Sequence, residues 1–384
     1  MRKIRWGRMV RRGLAVCMVA VSLWLLLAGA AGGAAHPLAE SEAFVTAALR
    51  TELGSQGQGG PGFWERLALS QSALLERNLL GEEAPPEPAA TLEPLPNAQP
   101  APDHDDVHDQ PQVTAAPESI VERTLTPTTS QGYATGAGLY LYNRTDLEVD
   151  LAAAARRELP FSLAPGAQGP QILIIHTHTT EAYTPDGVDV YAPSDNNTRT
   201  LEETYNMLRV GDEMERVFTE MGLGVIHDRG VYDYPAYKGA YTRSGPAVEE
   251  YLKQYPSIRI VLDVHRDALV GSDGTVYKAV TTIDRVKTAQ VMLVIGSNAA
   301  GGDHPGWEDN LALATRLQKS LDTLYPTLAR PMTLRQSSYN QELSPGSLLV
   351  EVGTHGNTLQ EALAAARDFA RAAGAVFLSL TEEG

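Results

Sequence analysis

The chain has 384 residues, 43% of them hydrophobic and 20% charged, with a formal net charge of −16. That length exceeds one typical domain, and since about a third of the sequence is unsuited to a packed core, it implies one domain of about 250 residues with accessories. The first 35 residues carry six bases and no acids, so beyond them 25 bases face 47 acids, and a body at −22 repels nucleic acid.

The N-terminus reads as a basic tail over residues 1–12 followed by 23 uncharged residues, 13–35, long enough to span a bilayer core as a helix. The bases predict a cytoplasmic tail and an extracytoplasmic body, with a cleavable signal peptide as the competing reading because residues 28–35 are all small. The single cysteine, Cys17, falls inside this apolar run, so no disulfide is available beyond it. Residues 36–80 carry helix-like patterns and are expected to form stalk helices. Residues 81–130 hold 10 of the 24 prolines among many acids, which predicts a flexible spacer. His104 and His108 in DHDDVHD lie in that acidic tract and are read as adventitious metal binders.

A folded region is expected over residues 131–384. LYLYN at 139–143 reads as a short strand before an alanine-rich helix at 150–158. From Gln171 onward strands and helices alternate, predicting an α/β fold: a single three-layer domain with a mostly parallel sheet of about six strands flanked by helices. Helices are expected at 206–221, around Pro246 in two pieces, at 307–324 and at 358–380. Strands at 275–283 and 290–296 read as a sheet edge around a turn at Asp284 and Arg285, and 332–336 reads as a further strand.

Three strands end in polar loops. Ile172 to Ile175 form an unbroken apolar run, as in a strand buried on both faces, and deliver His176 and His178 at its carboxyl end. In IRIVLDVHRD, alternation places Asp263 and His265 on one face and Leu262 and Val264 on the other. Glu351 interrupts the apolar strand SLLVEV, where a carboxylate needs a partner or a metal to offset its desolvation. Ligands sit outside the carboxyl ends of strands in such sheets. We therefore read His176 or His178, His265 and one carboxylate as zinc ligands, and Glu351 as the proton-transfer group; a buried ion pair is the structural explanation of Glu351. His355 would orient Glu351, contact substrate or cap its turn, and Arg266 would assist the developing oxyanion. An amidohydrolase barrel would need more strands and further metal ligands, and no G-x-S-x-G turn or H-E-x-x-H helix is present.

HTHTTEAY, LDVHRDA and SYNQELSPGSLLVEVGTHGNTLQEA resemble, in order, three blocks of the stage II sporulation protein P family, membrane-anchored peptidoglycan hydrolases of endospore-forming bacteria. The resemblance implies a fold related to zinc-dependent N-acetylmuramoyl-L-alanine amidases, cleavage of the bond between N-acetylmuramic acid and L-alanine, endopeptidase action on cross-links, and work with stage II sporulation proteins D and M in septal thinning and forespore engulfment. Carried over by residue, it implies His176, Glu181 and His265 as metal ligands, with His178 able to exchange roles with His176 and Glu203 as the alternative carboxylate. It implies Glu351 as the catalytic glutamate, and His178, Arg266, His355 and Asn357 serve substrate binding or support. The non-enzymatic alternative is a cell-wall-binding or scaffold module with a remnant metal site.

Overall fold

The four apolar residues predicted as a doubly covered strand form β4 (Ile172–Ile175), and all four are buried. Ile172 and Ile174 join the main core while Leu173 and Ile175 join a second cluster, so helices cover both faces. The computed structural model describes residues 120–164, 168–185 and 198–381. The predicted tail 1–12, anchor 13–35, stalk 36–80 and most of the spacer lie outside them, and among the described residues no helix is long and apolar enough to cross a membrane.

β4 pairs in parallel with β5 (Val225–His227) on one side and β6 (Ile260–Asp267) on the other. β11 (Ser347–Thr354) continues the sheet in parallel beyond β6. β9 (Val291–Ile295) then runs antiparallel to β11, followed by β10 (Met332–Leu334) and β3 (Leu139–Asn143) parallel to β9, and by β2 (Ala134–Gly136) antiparallel at the edge. The order is β2-β3-β10-β9-β11-β6-β4-β5, eight strands rather than about six, with a mixed pairing that includes two antiparallel contacts.

The segments expected to form a sheet edge separate into two sheets. β7 (Val276–Ile283) and β8 (Val286–Ala289) form a hairpin, and β9, next in sequence, takes a central place in the main sheet. The hairpin turns on Asp284 and Arg285, both at positive φ (49° and 68°), as a tight two-residue connection requires. β1 (Ile120–Arg123) adds to β7 in parallel, so the end of the predicted spacer is structured.

The helices are α1 (Leu151–Arg156), α2 (Met207–Glu220), α3 (Ala240–Gln254), α4 (Trp307–Leu324) and α5 (Leu359–Ser379). Met207, Val210, Met214, Val217 and Phe218 of α2 enter the main core, as their helical spacing predicts, together with the apolar stripes of α4 and α5. Asn206 starts α2 by accepting from Leu208 N, and Thr358 and Glu361 form a reciprocal capping box on α5. α3 covers the opposite face, where Ala247, Val248 and Tyr251 meet Leu173, Ile175 and Val261. Pro246 lies inside α3 without dividing it: the missing N–H removes one backbone bond, and the remaining turns persist because the apolar face is buried.

Candidate active site

The site forms where β4, β6 and β11 end on the α3 face. His176, the last residue before the β4 turn, does not take part. Its Nδ1 pairs with the Val264 carbonyl at 2.8 Å, and its Nε2 lies 2.9 Å from Nε2 of His227, on the α2 side. His227 Nδ1 faces Asp212 and Glu215 at 3.2 and 3.5 Å. Gly211 of α2 leaves the space for this pair, since a Cβ there would stand 2.3 Å from His227 Nε2 and 2.5 Å from His176 Nε2. Burial and then His227 hold the His176 imidazole well below its ordinary range. The structure therefore brings His178, rather than His176, beside Glu181 and His265, the exchange of roles that the sequence left open.

A turn at 177–180 produces the exchange. Thr177 donates through its N and Oγ1 to the Asp263 carboxylate at 2.8 and 2.7 Å, and Thr180 Oγ1 donates to Asp233 at 2.6 Å. The chain thus crosses the strand end, and the His178 ring stacks on Tyr237 at 4.3 Å and meets His265 edge-on at 5.1 Å.

His178, Glu181 and His265 each offer a donor atom, all within 4.8 Å of one another and all buried. His178 Nδ1 lies 3.8 Å from Glu181 Oε1, and His265 Nδ1 lies 3.6 Å from Glu181 Oε2. Those separations approach the ~3.4 Å edge of a tetrahedron with bonds of about 2 Å, the geometry zinc takes with imidazole and carboxylate. The other ring nitrogen of His265 stands 2.8 Å from Asp263 Oδ1, close enough for an ion pair though angled away from a good hydrogen bond. A carboxylate behind a histidine ligand fixes its ring and raises its basicity. The donor set therefore fits a zinc ion.

Arg266 is fully buried and serves Glu181. Its backbone N donates to Glu181 Oε2 at 3.3 Å, its Nη1 lies 3.4 Å from Oε1, and its Nε donates to the Ala182 carbonyl at 3.1 Å. Burial pushes the Glu181 carboxyl up, but Arg266, then His265 and His178, hold it well below the usual range. The alternative carboxylate, Glu203, is at the surface, paired with Arg229 at 2.8 Å.

Glu351 stands beside His265 in the β11–β6 register, is 3% exposed, and among the described residues its Oε2 has no hydrogen-bond partner. Burial, then the Asp267 carboxylate, push its pKa up to about 8 against the opposing pull of His265. Asp267 itself is held by Arg330 at 2.7 Å. Among the described residues Glu351 has no ion-pair partner, and the nearby Arg330 pairs with Asp267 instead. Among the described residues both ring nitrogens of the buried His355 lack a hydrogen-bond partner, and burial and Arg266 lower its pKa to about 4, so it stands neutral at the site. Asn357 is a support: its Oδ1 accepts from Thr354 N at 2.9 Å while its Nδ2 donates to Ala279 O and Glu361 Oε2 at 3.2 and 2.8 Å. His304 is structural, paired with Asn310 at 2.9 Å.

Two groups of residues escaped the sequence reading. His227, Asp212 and Glu215 carry no short spacing signature, because they come from β5 and one face of α2. Tyr237 and Tyr241, which pack against His178, lie in YDYPAYKGAY, whose density of tyrosine was the available signal.

Among solved structures, the chain is similar to the CwlD amidase from Clostridioides difficile, in complex with the GerS lipoprotein, at 16% identity and a TM-score of 0.34, covering 54% of this chain and 98% of that one. It is similar to the N-acetylmuramyl-L-alanine amidase Ami1 from Mycobacterium smegmatis at 13% identity and a TM-score of 0.32, covering 55% and 98%. A curated relative, Stage II sporulation protein P of Bacillus subtilis (strain 168), is 27% identical over 201 residues, which are 50% of this chain and 47% of that protein, so the match spans about half of the relative's length. The family pattern itself runs through residues 99–374, taking in all three strand ends that build the site, and on that match the chain belongs to the Stage II sporulation protein P family.

Proposed function

We propose that the chain is a zinc-dependent N-acetylmuramoyl-L-alanine amidase that also cuts peptide cross-links in peptidoglycan. In this reading residues 13–35 hold it at the membrane, the body lies outside, and it acts with stage II sporulation proteins D and M in septal peptidoglycan degradation and forespore engulfment. The supporting observation is the convergence of His178, Glu181 and His265 beside Glu351, a buried carboxyl with a free oxygen.

Zinc held by those three donors supplies Lewis acidity and lowers the pKa of water to about 7. The remaining work falls to the chain. Asp263 and Arg266 fix His265 and Glu181, so the donors are oriented before a ligand arrives. Glu351 takes a proton from the attacking water as its oxygen bonds to the amide carbon, then returns that proton to the nitrogen as the C–N bond breaks. Burial and the Asp267 carboxylate raise the Glu351 carboxyl to about 8, so it exchanges a proton readily near neutral pH, as a group that first accepts and then returns one requires. His355, neutral and unpartnered, offers the substrate a hydrogen-bonding group.

The test is mass analysis of purified sacculi digested by the full chain. New N-terminal L-alanine supports amidase chemistry. Products with only cut cross-links would replace it by endopeptidase chemistry, and intact sacculi with zinc bound would leave the wall-binding alternative.

A further inference from the structure

Tyr241 is the second residue of α3, two positions after the N-cap Gly239, whose φ of 77° lets the chain turn onto the sheet. Its ring lies on the face that carries Asp263, His265, Leu349 and Glu351, packed with Met292, Val294 and Leu349. It runs nearly parallel to the His265 ring, 13° between planes and 6.3 Å between centroids, and meets the His178 ring edge-on at 5.6 Å. Two contacts hold it there: Asn340 Nδ2 donates to the Tyr241 carbonyl at 2.9 Å, and the Tyr339 ring packs against it at 5.4 Å. Among the described residues its hydroxyl nevertheless has no hydrogen-bond partner, in a residue only 8% exposed. Leaving a buried hydroxyl unpaired costs about 1–3 kcal/mol, and nothing in the apolar packing of the ring requires that oxygen. The hydroxyl oxygen is buried as the Glu351 Oε2 is. A phenol titrates near ~10 in water, so at neutral pH it carries its proton and can donate.

We infer that Tyr241 is a further catalytic residue of this site, donating a hydrogen bond from its hydroxyl to the carbonyl oxygen of the scissile amide as that oxygen becomes negative. The inference rests on the hydrolase reading above and adds a role that reading leaves open. When the water oxygen bonds to the carbonyl carbon, the π electron pair moves onto the carbonyl oxygen, and the phenol shares its proton with that oxygen without giving it up. When the C–N bond breaks the pair returns to re-form the carbonyl, and the amine departs with the proton from Glu351. A donor already fixed in a dry site is worth most in this step because it need not reorganise.

The experiment compares wild type with Tyr241→Phe in the zinc-loaded full chain on a soluble N-acetylmuramoyl-peptide. Expected are a kcat lower by about 100-fold, the usual loss for one such donor, with KM and zinc stoichiometry unchanged. The melting temperature should hold or rise, since the variant keeps the ring and removes only the unpaired hydroxyl. A kcat within about threefold of wild type, or a loss appearing in KM or zinc content instead, would overturn the role. Wild type that binds zinc yet cleaves nothing would defeat the hydrolase reading itself, an outcome separate from an active enzyme indifferent to Tyr241→Phe.

Discussion

His176 and His178 are two residues apart and face opposite sides of the sheet, His176 toward His227 of β5 and His178 toward His265 of β6. The two histidines should therefore fail differently. His178→Ala should lose zinc, because one of three donors is gone. His176→Ala should keep close to one zinc per chain yet unfold more easily by about 1–3 kcal/mol, since it strips a buried partner from His227. Metal content by elemental analysis, paired with a denaturant melt, separates the two, and zinc lost from His176→Ala alone would reverse the assignment.

Glu351 combines burial, a free oxygen and a register position beside His265. Glu351→Gln preserves shape while removing the proton-transfer group, so zinc should stay bound and turnover should fall by about 10²–10⁴-fold, the span general acid–base catalysis commonly supplies. Hydrolysis of sacculi at the wild-type rate would remove Glu351 from the mechanism.

The sequence announced the strand ends better than it announced their geometry. Alternation correctly placed Asp263 and His265 on one face of β6, because a regular strand carries side chains with period two. Extended past Ile175, the same rule would put His178 on the side of His176, but β4 stops there and the turn pinned by Thr177 and Thr180 carries the chain across the strand end. Glu181 was legible from its block, but its need for Arg266 was not, because that contact joins residues 85 apart in sequence. The position of β9 was equally hidden. Its five buried residues read as a strand, while its antiparallel place beside β11 depends on a crossover that no local pattern records.

Gly211 shows how closely α2 lies against the second histidine pair. A methyl group there would overlap the facing nitrogens of His176 and His227, so at least one of the two buried rings would have to shift. Gly211→Ala should improve helix propensity by about 1 kcal/mol and still destabilise the protein overall, since overpacking costs typically 1–3 kcal/mol or more. Chemical denaturation checks the sign: a more stable Gly211→Ala would mean that the rings move apart freely.

Asp368 on α5 supplies a pH signature away from the site. Its side chain is 13% exposed and 3.6 Å from Arg371. Burial raises its pKa to about 6 despite the opposing pull of Arg371 and Arg367. An unfolded aspartate titrates near ~3.9, so the folded state holds this proton more tightly. Its contribution to stability is then fully present below about pH 4 and is lost as pH rises through about 6. At pH 7.5 the folded protein carries the cost of a buried anion, and Asp368→Asn should remove it. The shift of about two units sets a ceiling near ~3 kcal/mol, which loss of the Arg371 pair reduces to about 1–2 kcal/mol. Thermal melts of both proteins at pH 4.5 and pH 7.5 decide the matter: the variant should gain on wild type as pH rises, and a difference that stays constant between the two conditions would show that Asp368 is ionised throughout.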